Sequence, residues 1–313
     1  MGLGTYTESF EKRRLSGMME RRGSETANSV VVICLASLPF LGIGIFLTLI
    51  GLKIVPSAAK NIQAPYWVIT VCGLMFGAGG PFLWSLAWKQ FQARRRQALA
   101  QKNHRNEPAL ADYPWDPRGY DPHRWISIAK KFAALGFAAL FLAPFNWWAW
   151  LVPGPWPLKI VVSLFDLLFV LLFISDVMAA GRAFKFGESR IEFARFPLRL
   201  SAPISIRWLT PSGIDRAVNG TFTLRCIKEW CESTGTGQDR STCIVHEEQW
   251  SGNWSLSQPE NLPSGKILPL EFSPPAEAPI TCLSAERPVF WEFEVKLGLP
   301  GLDFRETYLV PVY

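Results

Sequence analysis

Residues Ile160–Arg190 read IVVSLFDLLFVLLFISDVMAAGRAFKFGESR, and the change of character inside that stretch decides the fold. From Ile160 to Ala180 the only charges are Asp166 and Asp176. About 20 apolar residues suffice to cross about 30 Å of hydrocarbon as a helix. From Gly187 onward the period shortens to two: Ile204, Ile206 and Trp208 alternate with polar neighbours, as do Phe222, Leu224 and Cys226. A membrane-embedded part therefore gives way to a β part near Phe186. A chain of 313 residues, with 22 Phe and 14 Trp, is long enough for two such units.

Three more apolar stretches precede this one. Val30–Leu52, Tyr66–Trp88 and Phe132–Leu158 carry no charged residue. Four membrane spans are expected. The first is not a cleavable signal peptide, because about 29 mostly polar residues precede it and no small-x-small pattern follows. Tyr6 stands where N-myristoylation after Met1-Gly2 needs Ser or Thr, so that modification is not expected.

Charge sets the orientation. Lys12, Arg13, Arg14, Arg21 and Arg22 precede the first span, and Arg182 and Lys185 follow the fourth. Between spans two and three lie Lys89, Arg94, Arg95, Arg96, Lys102, Arg105, Arg118, Arg124, Lys130 and Lys131. The opposite side carries only Lys53, Lys60 and Lys159. Basic residues stay in the cytoplasm, so both termini and the basic loop are expected there. The Pro153-Gly154-Pro155 turn then faces out, and Tyr66, Trp67, Trp147, Trp148, Trp150 and Trp156 gather at the outer interface. The expected organisation is a cytoplasmic tail (1–29), a transmembrane hairpin (30–88), a basic cytoplasmic loop (89–131), a second hairpin (132–182) and a cytoplasmic β domain (186–313). A reducing compartment keeps Cys226, Cys231, Cys243 and Cys282 as thiols. It also leaves the Asn219-Gly220-Thr221 and Asn253-Trp254-Ser255 sequons silent.

Small residues let helices approach closely in lipid. Gly73-x-x-x-Gly77 is such a face, suited to bundle packing or to a homo-oligomer. Pro39, Pro81 and Pro144 sit inside the first three spans and should kink them. Asp166 is the intramembrane acid to explain. It lies eight residues beyond Leu158, about 12 Å deep at 1.5 Å per residue. Asn146 lies at similar depth in the neighbouring span, within reach of a hydrogen bond, and Ser163 shares the face of Asp166. Helix locking, an ion or proton role and contact with a membrane partner are the alternatives.

The β region has about seven candidate strands: Ser189–Phe196, the runs around Ile204 and Phe222, Thr242–Gln249, Ile267–Phe272, the run Val289–Leu297 and Leu302–Val312. Pro, Gly, Ser and Asn clusters separate them, which suits an antiparallel sandwich. Ser233–Ser241 and Ser251–Gly265 read as long loops. Residues 186–313 hold 12 basic and 16 acidic side chains, whereas residues 89–131 hold ten basic and four acidic. The basic loop, with Arg94, Arg95, Arg96, Lys102, Arg105, Lys130 and Lys131, is thus expected to meet anionic lipid head groups or to dock the β domain. Nucleic acid is not an expected partner, because the bases lie against the bilayer and no nucleic-acid-binding fold is present.

Chemistry is sparse. Cys226, Cys231, Cys243 and His246 superficially resemble a zinc set. In an extended strand, however, Cys243 and His246 point to opposite faces. His104 and His123 have no nearby nucleophile, and no phosphate loop, H-E-x-x-H or G-x-S-x-G is present. No catalytic, cofactor or metal residue is proposed.

Several motifs resemble a known pattern. They are Pro114-Trp115-Asp116-Pro117-Arg118, Lys185-Phe186-Gly187-Glu188-Ser189, Trp291-Glu292-Phe293-Glu294-Val295, Pro300-Gly301-Leu302-Asp303-Phe304 and Val310-Pro311-Val312. Together they are similar to an uncharacterised family of bacterial multi-pass, four-helix inner-membrane proteins with a C-terminal β domain. Asp116 stands where that pattern has an aromatic residue, and Tyr120 replaces its second tryptophan. The ending Leu309-Val310-Pro311-Val312 also resembles arrestin-like sandwiches. The resemblance implies a four-helix membrane bundle plus an all-β antiparallel sandwich (Ig/arrestin-like) in a bacterial inner membrane, and it implies no activity. The expected role is a membrane-anchored cytoplasmic binding or scaffolding module that recruits an unknown cytoplasmic or membrane protein. The alternative is an accessory or regulatory subunit of a transporter, channel or larger membrane complex.

Overall fold

The computed structural model describes residues 3–15, 30–55, 65–103, 107–122, 124–151, 156–214, 216–234, 241–256, 259–285 and 287–313. Arg21, Arg22, Lys60, His104, Arg105, His123 and the Pro153-Gly154-Pro155 turn lie outside them. In chain order the elements begin with β1 (Leu3–Ser9) and β2 (Arg13–Arg14), then α1 (Val30–Gly51), α2 (Tyr66–Asn103) and α3 (Pro108–Asp112). Next come β3 (Gly119–Tyr120), α4 (Arg124–Asn146), a π-helical turn Trp147–Leu151 and α5 (Trp156–Phe186). Nine strands follow: β4 (Arg190–Phe193), β5 (Ile204–Leu209), β6 (Arg216–Ala217), β7 (Asn219–Thr234), β8 (Ser241–Leu256), β9 (Glu260–Asn261), β10 (Ile267–Phe272), β11 (Val289–Gly298) and β12 (Phe304–Val310).

Four helices are long and apolar enough to cross a membrane: Ile33–Gly51, Tyr66–Ser85, Arg124–Leu151 and Trp156–Phe186. The chain divides into a helical unit, Asn28–Arg94 with Trp125–Gly181, and a β unit. The β unit takes in the N-terminal strands, Arg95–Arg124 and Arg182–Tyr313. The fourth helix ends where the sequence changes character. Gly187 takes φ 61°, and its N–H bonds the Ala183 carbonyl at 2.8 Å. A side chain is disfavoured at that φ, so glycine closes the helix and frees the chain to enter β4.

The β unit holds a six-stranded antiparallel sheet, ordered β1-β8-β7-β11-β12 with β2 also on β8, and a four-stranded sheet, β10-β5-β4-β3. A small pair, β6-β9, completes it. Period two sets the register. Trp291, Phe293 and Val295 face Cys226, Leu224 and Phe222 across β11 and β7. The same face of β12 adds Phe304, Tyr308 and Val310. The four-stranded sheet supplies Ile206, Trp208, Leu270 and Phe272 to the same buried cluster. Trp208 meets Phe222 edge-on at 5.7 Å between centroids, and Phe272 meets Phe293 at 6.0 Å.

Four expectations need correction. The tail before the first span is partly strand: β1 and β2 pair with β8, with Tyr6 packed 4.9 Å from Trp254 between ring centroids. The basic loop is largely helical. α2 runs through Arg94, Arg95 and Arg96 to Asn103, because Lys89–Lys102 contains neither Gly nor Pro and is rich in strong helix formers. Lys130 and Lys131 belong to α4. The remainder of that segment folds with the β unit: β3 extends β4, and Asp112 accepts N–H bonds from Leu283 and Ser284 at 2.8 and 2.6 Å. Lastly, Ser251–Leu256 is strand rather than loop and β9 follows it, because Trp250, Trp254 and Leu256 continue the inward alternation. Residues 235–240, inside the other expected loop, lie outside the described set.

Candidate functional site

In the helical unit, α1 and α2 meet through glycine. A methyl on Gly44 would collide with the Gly77 backbone, and one on Gly73 with the Thr48 backbone. The Gly73/Gly77 face is therefore packed against α1 of the same chain. Trp67 packs edge-on against Trp147 at 4.7 Å and Phe76 against Phe141 at 6.0 Å, so α2 and α4 run antiparallel. Asn146 Nδ2 donates to Asp166 Oδ1 at 2.8 Å and ties α4 to α5. Ser163 does not join them; its hydroxyl donates to the Lys159 carbonyl at 2.8 Å, one turn back on its own helix. The Asn146–Asp166 pair lies next to the Trp67–Trp147 contact and just before the π-helical turn.

Of the basic residues, Arg95, Lys102, Lys130 and Lys131 are exposed, while Arg94 and Arg96 lie in the helical backbone of α2. Arg105 is outside the described residues.

Two polar networks occupy the β unit. In the first, Trp208 Nε1 donates to Tyr308 Oη at 3.1 Å, and Tyr308 Oη donates to Ser189 Oγ at 2.8 Å. Arg124 Nη2 also donates to Ser189 Oγ at 3.1 Å, Nη1 donates to the Gly187 carbonyl at 3.2 Å, and the guanidinium pairs with Glu306. Burial pushes Tyr308 up to about 12, against the lowering effect of its hydrogen bonds with Ser189 and Trp208. It is a neutral donor at physiological pH. The second network lies on the opposite face of the six-stranded sheet. Arg225 on β7 pairs with Glu292 and Glu294 on β11, and Glu294 also meets Lys296 at 2.9 Å and Arg305 at 2.8 Å. Alternation alone gives Glu292 and Glu294 a solvent-side position, yet both are buried. The signal in the sequence was the Glu-x-Glu spacing opposite a single arginine, which pairs charges across strands.

Further along that face His246 Nε2 lies 2.9 Å from Glu229 Oε2, both buried. Nearby, a cavity of about 140 Å³ is lined by Ser9, Glu11, Arg13, Glu248, Ser251 and Asn253. The Glu248 carboxylate there is held by Ser251 at 3.0 Å and Arg13 at 3.6 Å.

The cysteine set is dispersed. Cys226 is buried in the core, where burial pushes its thiol up to about 12, and Cys243 is exposed. His246 is engaged with Glu229 instead. Among the described residues no group of three or more His, Cys, Asp or Glu is placed to hold a metal.

No family model and no curated protein matches the chain. Among solved structures it is similar to the crystal structure of Spo0M, a sporulation control protein from Bacillus subtilis. Identity is 13%, coverage is 35% of this chain and 41% of that one, and the TM-score is 0.20. The chain thus spans under half the length of Spo0M, and so loose a superposition decides neither fold nor function.

Proposed function

We propose that this protein is a membrane-anchored scaffold: four helices hold an Ig/arrestin-like β-sandwich at the cytoplasmic face of a bacterial inner membrane, where the sandwich recruits a protein partner. The basic residues flanking the spans support that orientation. The observation that carries the recruiting role is the reach of the β7–β8 hairpin. β11 pairs with β7 only as far as Lys228, and β2 pairs with β8 only at Glu247 and Glu248. Beyond them Ser241–Val245 runs on as strand, and among the described residues no third strand pairs with its outer side. An open strand edge is the physical requirement for strand addition, in which main-chain bonds supply affinity and alternate side chains supply selectivity.

The test is co-purification in gentle detergent of full-length protein and of a variant carrying Thr242→Lys and Ile244→Lys. Lysines on an edge oppose strand addition. Proteins retained by the parent should be lost from the variant while its unfolding midpoint stays unchanged. Retention of the same proteins by both sinks the reading.

The alternative, a subunit of a transporter or channel, would use Asp166. The Asn146 bond favours helix locking for that residue. Asp166→Asn should leave any measured flux intact and alter only thermal stability; loss of flux would reinstate the transport role.

A further inference from the structure

The helix contacts fix a common level within the helical unit. Along α1 and α2, Gly44 meets Gly77, Gly51 meets Thr70 and Gly80 meets Leu41, a steady antiparallel register. Along α2 and α4, Trp67 meets Trp147 and Phe76 meets Phe141. Carried to the far end, both registers bring Trp88 of α2 level, within about a turn, with Ile33 of α1 and with Ala129–Lys130 of α4. Trp67 to Trp88 is 21 rises of 1.5 Å, about 32 Å, close to the thickness of a hydrocarbon core. The apolar slab thus ends at Trp88 and Lys130.

At that level the surface of the helical unit carries both aromatic and basic groups. Trp88 is 60% exposed and Phe91 47%, and their rings stack 5.8 Å apart between centroids. Trp125 is exposed, as are Lys130 and Lys131. Lys89 and Arg94 follow Trp88 on α2, and neither Lys89–Arg94 nor Trp125–Lys131 contains an acidic residue. Amphipathic rings settle at headgroup depth, and uncompensated cations beside them face the phosphates of that layer.

We infer that this end of the helical unit binds the phosphate-bearing headgroups of anionic phospholipids, with the exposed Lys130 and Lys131 as the cations and Trp88, Phe91 and Trp125 as the interfacial anchors. The inference rests on reading the four helices as membrane spans. It does not depend on the recruited partner, so the outcome at the hairpin edge and the outcome here are separable.

The full chain, purified in dodecyl maltoside, is titrated with palmitoyl-oleoyl phosphatidylglycerol, with the matching phosphatidylcholine, and with inorganic phosphate. Tryptophan-detected thermal unfolding and native mass spectrometry read the result. Phosphatidylglycerol should raise the midpoint and remain bound, with an effect that shrinks as salt is raised; phosphatidylcholine and inorganic phosphate should do neither. Each basic residue contributes about fivefold in affinity, so replacing Lys130 and Lys131 together by Gln should weaken phosphatidylglycerol binding about 25-fold. If that variant is unstable in phosphatidylcholine, single Lys130→Gln and Lys131→Gln variants should each retain fewer phosphatidylglycerol molecules than the parent. Equal responses to the two lipids, an undiminished response in the variants, or a matching shift with inorganic phosphate would each overturn the inference.

Discussion

Glu294 is 2% exposed, yet it stands among three cations. Burial alone raises its pKa, but Arg225 foremost, then Lys296 and Arg305, outweigh that and hold it below the ordinary value of 4.5. A carboxylate with a depressed folded-state pKa stabilises the fold above the unfolded value, and that contribution is lost as pH falls through the folded one. The unfolding midpoint should therefore drop as pH falls below about 4.5, and Glu294→Gln should flatten that part of the profile. Removing Arg225 takes the foremost cation from two buried carboxylates, of which Glu294 keeps Lys296 and Arg305, so Arg225→Ala should cost about 3 kcal/mol. Arg305, which is 65% exposed, should cost under about 1 kcal/mol when changed to Ala. Chemical denaturation of the purified protein checks the contrast. Tyr308→Phe leaves the Trp208 N–H without its acceptor in the core and should cost about 1–3 kcal/mol in the same measurement.

Among the elements, the α1–α2 pair depends on the absence of side chains. Gly44 lies against the Gly77 backbone, whereas a Cβ at Gly42 would meet nothing within 4 Å. Gly44→Ala should destabilise the bundle by about 1–3 kcal/mol through overpacking. Gly42→Ala, a better helix former in open space, should be neutral or slightly stabilising. Thermal unfolding of the two variants side by side in detergent would expose the difference; equal midpoints would mean the contact does not set the pairing. The length of α2 follows a different rule. Its apolar half is long and apolar enough to cross a membrane, and its basic half stays helical because Ala, Gln, Leu, Lys and Arg all favour helix and nothing in Lys89–Lys102 breaks it.

For the whole molecule the decisive quantity is the side of the bilayer on which the β unit lies. Cys243 and Cys282 are both exposed in that unit. A membrane-impermeant maleimide applied to intact cells should leave them unlabelled, and labelling should appear only after lysis. Labelling in intact cells would remove the cytoplasmic scaffold reading, while the fold would stand.

The sequence by itself determined what local periodicity can encode. Four uncharged or nearly uncharged runs specified four helices long and apolar enough to cross a membrane. Alternation at Val289–Leu297, Ile204–Trp208 and Phe222–Cys226 specified strands because successive side chains take opposite faces. It also brought Asn146 and Asp166 to similar depth. Tertiary structure decided whatever depends on residues distant in the chain. β1 and β2 join β8 across more than two hundred residues, the segment around Asp112 and Gly119–Tyr120 is claimed by the β unit, and Glu292 and Glu294 become buried because Arg225 lies on the adjacent strand. Gly73 and Gly77 pack against α1 of the same chain because Gly44 and Thr48 lie there, a pairing that spacing alone does not specify. Periodicity fixes which way a side chain points along its own element; only packing fixes what it meets there.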